Sequence, residues 1–116
     1  MPDQQDDAPV LITRRHPGGQ PGWLRICLED VGDPTAPPVA DALLAAHQGA
    51  PVALLLRIEV VASARGRGLG RRLLREAAAD ARAVGARRLR VAPVAAVGWL
   101  MNSGFVVCDG FAELVL

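Results

Sequence analysis

The segment Arg65-Gly66-Arg67-Gly68-Leu69-Gly70 constrains this chain more than any other part of it. Its glycines stand at alternate positions, after an apolar run over 52–61 and before an Ala/Leu-rich stretch over 69–84. Glycine carries no Cβ, so the chain can turn tightly there and expose its N–H groups. A helix beginning at Leu69 adds amides that have no intrahelical acceptor, together with the positive end of its dipole. Strand, glycine turn and helix N-terminus in that order form a receptor for a diphosphate. Leu69, Leu73, Ala77, Ala81 and Val84 recur on one helical face, and Gly85 supplies a C-terminal stop. A short strand over 87–91 completes a βαβ unit, so its two strands are expected to be parallel with a right-handed crossover. Ligands of open α/β sheets bind beyond the carboxyl ends of the strands, which places the glycine turn at the ligand site.

Two familiar phosphate loops do not fit. A P-loop requires Lys and then Ser or Thr after its last glycine, whereas Gly70 precedes Arg71-Arg72. A dinucleotide turn requires a third glycine three residues after the second, and Arg71 stands there. The spacing Arg65-x-x-Gly68-x-Gly70 instead resembles the acyl-CoA loop of the GNAT superfamily of N-acyltransferases. The likeness extends through Ala95-Ala96-Val97-Gly98-Trp99-Leu100-Met101-Asn102-Ser103-Gly104-Phe105, which is similar to the final GNAT helix and its Gly-Phe signature. A hairpin around Asp109-Gly110 follows, so the resemblance covers residues 52–116.

The resemblance implies an α/β (α+β) fold: a mixed, mostly antiparallel sheet with a central parallel βαβ unit and helices on both faces. It implies acetyl-CoA as cosubstrate, without a metal. Pantetheine would lie in a gap between the two parallel strands, pairing with backbone at Val60 and Val61. The diphosphate would meet the N–H groups of Arg65, Gly66, Arg67, Gly68, Leu69, Gly70 and Arg71, with guanidinium groups reaching the adenosine 3′-phosphate. An acceptor amine entering from the opposite face would attack the thioester directly.

Direct attack needs a base or water chain for the amine proton and a proton for the departing thiolate. Glu59, facing opposite to Ile58 and Val60, is the candidate base. Arg57 shares its face, and a plain ion pair is the competing role. The Tyr that many GNAT enzymes use as acid is replaced by Leu100, the chain contains no Tyr, and Pro93 stands where an Asn is common. Water would then protonate the thiolate, and catalysis would lean on positioning. Ser103 and Cys108 are the candidate substitutes for that acid, with a structural role favoured for each; Trp99 is assigned to the core, Asn102 and His47 to capping helices, and His16 is given no chemical role.

At 116 residues with 51% hydrophobic content, the chain suffices for one domain over 10–116 after a disordered polar tail over 1–9. All 13 basic residues are arginines, nine of them between Ser63 and Ala92, while the formal net charge is only +1. The local excess suits a polyanionic nucleotide, and the overall balance argues against a nucleic-acid partner. Cys27 and Cys108 show no metal spacing and read as reduced, buried thiols. The acidic start is no signal peptide and no run is apolar enough to span a membrane, so a cytoplasmic location is expected.

In the front half, strands are expected over 10–15 and 23–28 with a tight connection between them. A helix is expected from Pro38 to Gly49, with Val39, Leu43 and Ala46 on one face. GNAT domains place two helices between the first strands, and their loss here removes walls of the acceptor pocket. The strand over 111–116 is expected to leave an edge that pairs across a two-fold axis in a homodimer. The function implied is N-acetyl transfer to an amine of a small molecule or protein; a non-catalytic acyl-CoA-binding sensor or subunit is the alternative.

Overall fold

The computed structural model describes residues 10–91, 102–108 and 110–116. The expected tail over 1–9 and most of the expected final helix, with Pro93, Trp99 and Leu100, lie outside the described residues. Within them the chain forms β1 (Leu11–Pro17), β2 (Trp23–Asp30), β3 (Ala40–Ala45), β4 (Val52–Val60), α1 (Leu69–Ala83), β5 (Arg88–Val91), β6 (Val106–Cys108) and β7 (Phe111–Val115). The strands make one sheet in the order β1-β2-β3-β4-β5-β7-β6. All neighbours are antiparallel except β4 and β5, the parallel pair expected from the βαβ unit.

The sheet is built around the apolar face that α1 covers. Leu73, Ala77 and Ala81 are fully buried against β2, β3 and β4, where Ile26, Leu28, Ala42, Leu44, Ala53 and Leu55 face them. The many alanines on both sides of this interface let helix and sheet approach closely, so the core is well filled with few aromatic rings. Helix α1 ends in paired bonds, Ala86 N–H to the Ala81 carbonyl and Gly85 N–H to the Arg82 carbonyl. Gly85 there has φ +99°, which only glycine adopts without strain. The Arg87 N–H then donates to the Pro51 carbonyl at 2.7 Å, fixing β5 alongside the start of β4.

The expected helix from Pro38 to Gly49 is overturned: residues 40–45 are β3. Val39, Leu43 and Ala46 have helical spacing, but Ala40, Ala42 and Leu44 also alternate, and these are the residues buried under α1. In so short a segment both periods fit. The vacancy between β2 and β4, whose backbone groups need partners on both sides, decides for the strand. His47 accordingly caps no helix and lies in the turn after β3, its ring against the backbone of Gly22.

Strand β4 changes face midway. Leu44 pairs with Leu55 but Leu43 with Arg57, so Leu56 is an extra residue on β4. Ala53 and Leu55 point into the core before this bulge; Ile58 and Val60 do so after it. Arg57 and Glu59 thereby turn to the face opposite α1.

Strand β7 is flanked by both β5 and β6, so it does not supply the edge expected for two-fold pairing; the outer strands are β1 and β6.

Edge strand β1 is tied to α1 by charge. Arg15 Nε and Nη2 donate to the Asp80 carboxylate at 2.7 and 3.0 Å, and Nη2 also donates to Glu76 at 2.6 Å. These bonds, to Asp80 first, raise the Arg15 pKa further above its ordinary value. Because the group is 37% exposed, solvent screens most of the attraction. Arg15→Ala is expected to cost about 1 kcal/mol, the upper end for a shared surface pair. Thermal unfolding should show a lower Tm at low salt, with the difference shrinking in high salt.

Candidate active site

The parallel pairing of β4 with β5 runs only from Val52 opposite Arg88 to Leu55 opposite Val91. Strand β4 continues to Val60 while remaining paired to β3 on its other side. Among the described residues, 56–60 therefore have no strand beside them on the β5 side. The register decides which backbone groups face this gap. Val61 N–H donates to the Val39 carbonyl at 2.9 Å, making Ala40 and Val60 a pair whose own polar groups point away from each other. Val60 and, two residues back, Ile58 thus direct N–H and C=O to that side, where the Val60 carbonyl accepts from Arg65 Nε. Val61 does not, since its carbonyl also accepts from Ala64 N–H. Of Val60 and Val61, the two expected to meet pantetheine, Val60 alone turns its backbone groups to this side, and Ile58 shares that direction because strand backbone groups alternate.

A single 3₁₀ turn (Ala62–Ala64) separates β4 from the glycine segment. Gly66 and Gly68 have φ +84° and +76°, so the left-handed region is required at both. Gly68 is the N-cap of α1 and has no side chain to bond the first-turn amides; the first turn contains no acidic residue either. The first helical bond runs from Arg72 N–H to the Gly68 carbonyl. The amides of Leu69, Gly70 and Arg71 are left to an outside acceptor. Gly70 has no positive φ and sits within the helix, so its need for glycine is not conformational. Arg65 Nε donates to the Val60 carbonyl at 3.1 Å, stapling the loop to the strand end.

One cavity of about 840 Å³ joins these parts. Glu59, Val60, Val61, Arg65, Gly66, Gly68, Leu69, Gly70 and Arg71 all line it, whereas Arg67 does not. Its other side is formed by Pro37, Pro38, Arg25 and Asp41.

Arg25 and Asp41 were not foreseeable from spacing along the chain, because the register of three strands brings them to Glu59. Asp41 lies directly opposite Glu59, an arrangement of like charges that is unfavourable unless bridged. Arg57 bridges them, with Nη2 3.0 Å from Asp41 Oδ2 and Nε 3.4 Å from Glu59 Oε1. Arg25 approaches the same Asp41 oxygen at 3.0 Å through Nε and Nη2. Its bond to Asp41 raises its pKa, so the group is a permanent cation. Asp41 is 14% exposed and held by two guanidinium groups, while Glu59 is 70% exposed and has the longer contact. Arg57 is thus engaged chiefly by Asp41.

Cys27 lies beneath this charged face, fully buried, and burial pushes its thiol pKa up. It is a protonated thiol and no nucleophile. His16, Cys27 and Glu29 bring potential ligand atoms within 4.8 Å of one another. Glu29, however, is already engaged by Arg14 and His16, each at 3.0 Å.

Comparison with known proteins agrees with this geometry. A GNAT-family acetyltransferase from Brucella melitensis, solved in complex with acetyl-CoA, superposes with a TM-score of 0.61 at 24% identity; the match covers 80% of this chain and 58% of that one. The chain thus spans less than two thirds of that protein. The IAA acetyltransferase of Bacillus cereus gives a TM-score of 0.70 at 15% identity, covering 92% of this chain and all of that one. The PaiA N-acetyltransferase of Thermoplasma acidophilum, in complex with coenzyme A, gives 0.69 at 20% identity over 82% of this chain and 62% of that one. At these identities the likenesses establish the fold. No curated protein sequence matches the chain significantly. The acetyltransferase (GNAT) family model matches residues 11–105, and the chain belongs to that family.

Proposed function

We propose that this protein transfers an acetyl group from acetyl-CoA to a primary amine of a small molecule or protein by direct attack, acting in the cytoplasm. The observation that carries the reading is the opening into one cavity of two sets of N–H groups that no described residue accepts from, those of Ile58 and Val60 on the β4 edge and those of the α1 N-terminus. Pantetheine is a chain of secondary amides and matches the strand edge at Ile58 and Val60. The diphosphate matches the amides of Gly68 to Arg71, and Arg65 and Arg71 add charge. Structural relatives solved with acetyl-CoA and coenzyme A support the same cosubstrate.

With the thioester held at the β4 edge, the amine nitrogen attacks its carbonyl carbon. The C–N bond forms, the C–S bond breaks and coenzyme A leaves as thiolate. Glu59, exposed on the side of β4 away from the core, accepts the ammonium proton, directly or through one water. The second proton, shed by the nitrogen as the amide forms, passes through water to the thiolate. Since the chain has no Tyr, positioning and removal of the amine proton carry the rate.

The second reading, a binder of acyl-CoA without turnover, is favoured by the Arg57–Glu59 contact. Thiol release from acetyl-CoA across a mixed amine panel tests the two. An enzyme exceeds the spontaneous rate with at least one amine; a binder is thermally stabilised by acetyl-CoA but releases no thiol.

A further inference from the structure

We propose that the acceptor is a small amino acid, whose amine meets Glu59 and whose carboxylate is received by Arg25. This rests on the acyl-transfer reading above and names the substrate class of the same cavity. With the glycine loop and the β4 edge given to the cosubstrate, the space beside Glu59 is bounded by Pro37, Pro38, Arg25 and Asp41. The prolines donate no N–H, so polar recognition falls to the charged groups. Asp41 offers an incoming ammonium little, because two guanidinium groups already hold it. Glu59 is the accessible anion, which places the amine.

Arg25 has the opposite character. It commits Nε and Nη2 to Asp41 and, among the described residues, gives Nη1 no partner, with 39% of its side chain exposed at the cavity wall. Two arginines share the one Asp41 carboxylate, and of the two only Arg25 lines the cavity. A guanidinium oriented by one carboxylate and presenting a free edge is preorganised for a second. A simple alkylamine would leave that free edge unused, whereas an amino acid offers its amine to Glu59 and its carboxylate to Arg25.

The test measures thiol release with acetyl-CoA and the common amino acids, β-alanine and γ-aminobutyrate, each compared with its own carboxamide. The best acid is expected to exceed its carboxamide in kcat/KM by about ten- to a hundredfold, the range for one charge-assisted bond. Arg25→Gln should remove most of that advantage by raising KM for the acid, and Arg25→Lys should keep part of it. Stabilisation of Arg25→Gln by acetyl-CoA verifies that the variant is folded. Equal turnover of acids and carboxamides, or an equal effect of Arg25→Gln on both, overturns this assignment alone. Thiol release with alkylamines or polyamines but with no amino acid likewise overturns this assignment alone, whereas binding of acetyl-CoA without thiol release from any amine of the mixed panel overturns the acyl-transfer reading and this one with it.

Discussion

Replacing Gly68 by valine is expected to abolish measurable acetyl-CoA binding while leaving a folded protein. Gly68 has φ +76°, and a Cβ placed there meets no protein atom within 4 Å. No clash therefore opposes the substitution, and the whole penalty lies in the backbone. A β-branched residue in the left-handed region costs about 1–3 kcal/mol if the conformation is kept. If it is relieved, the amides of Leu69, Gly70 and Arg71 rotate away from their common target. Each bond to a charged phosphate contributes about 1.5–3 kcal/mol, so losing two weakens binding by roughly a hundredfold to ten-thousandfold. The buried contacts of Leu73, Ala77 and Ala81 are distant from the loop and keep α1 docked. Gly68→Asn separates the causes, because Asn tolerates the left-handed region and should retain most of the affinity. Calorimetric titration of the three proteins decides. Indistinguishable isotherms for wild type and the valine variant would remove the loop from the binding site.

The parts of this fold that were legible beforehand are those in which one period is imposed over a long stretch. Fifteen residues of α1 with Leu69, Leu73, Ala77 and Ala81 on one side leave no alternative to a helix. The glycines mark both of its ends. Strand β3 was not legible, because Ala40 to Ala45 satisfies helical and strand spacing alike, and its neighbours β2 and β4 are what select the strand. The alternation Ala40-Ala42-Leu44 between the turn-forming Asp33-Pro34 and Gly49-Ala50-Pro51 was the signal available. The site divides in the same way. The loop proposed to hold the phosphates is contiguous in sequence from Arg65 to Arg71, so a motif can single it out. The proposed acceptor end draws on Arg25, Asp41 and Glu59 from three strands, and only their register reveals that one cavity contains them. The Leu56 bulge belongs to the same class, being a mismatch between two strands that neither strand displays alone.

Glu59→Gln carries the second large effect: kcat/KM should fall by about a hundredfold to ten-thousandfold, the contribution of a positioned general base. Acetyl-CoA affinity should stay near the wild-type value, because the Glu59 side chain projects from the face opposite that of Val60. The amide is nearly isosteric and leaves Arg57 its 3.0 Å bond to Asp41, so little stability is at stake. That separation makes the experiment decisive. If Glu59 were only a partner of Arg57, its removal would cost less than about 1 kcal/mol of stability, as exposed ion pairs do, and turnover would change by no more than a few fold. Arg57→Gln discriminates further. It breaks the same ion pair while keeping the Glu59 carboxylate, so a base role predicts substantial activity in Arg57→Gln and almost none in Glu59→Gln. An ion-pair role predicts that the two variants behave alike. Equal kcat/KM in the two variants, measured with the best acceptor at saturating acetyl-CoA, would assign Glu59 to the structure and leave proton removal to solvent.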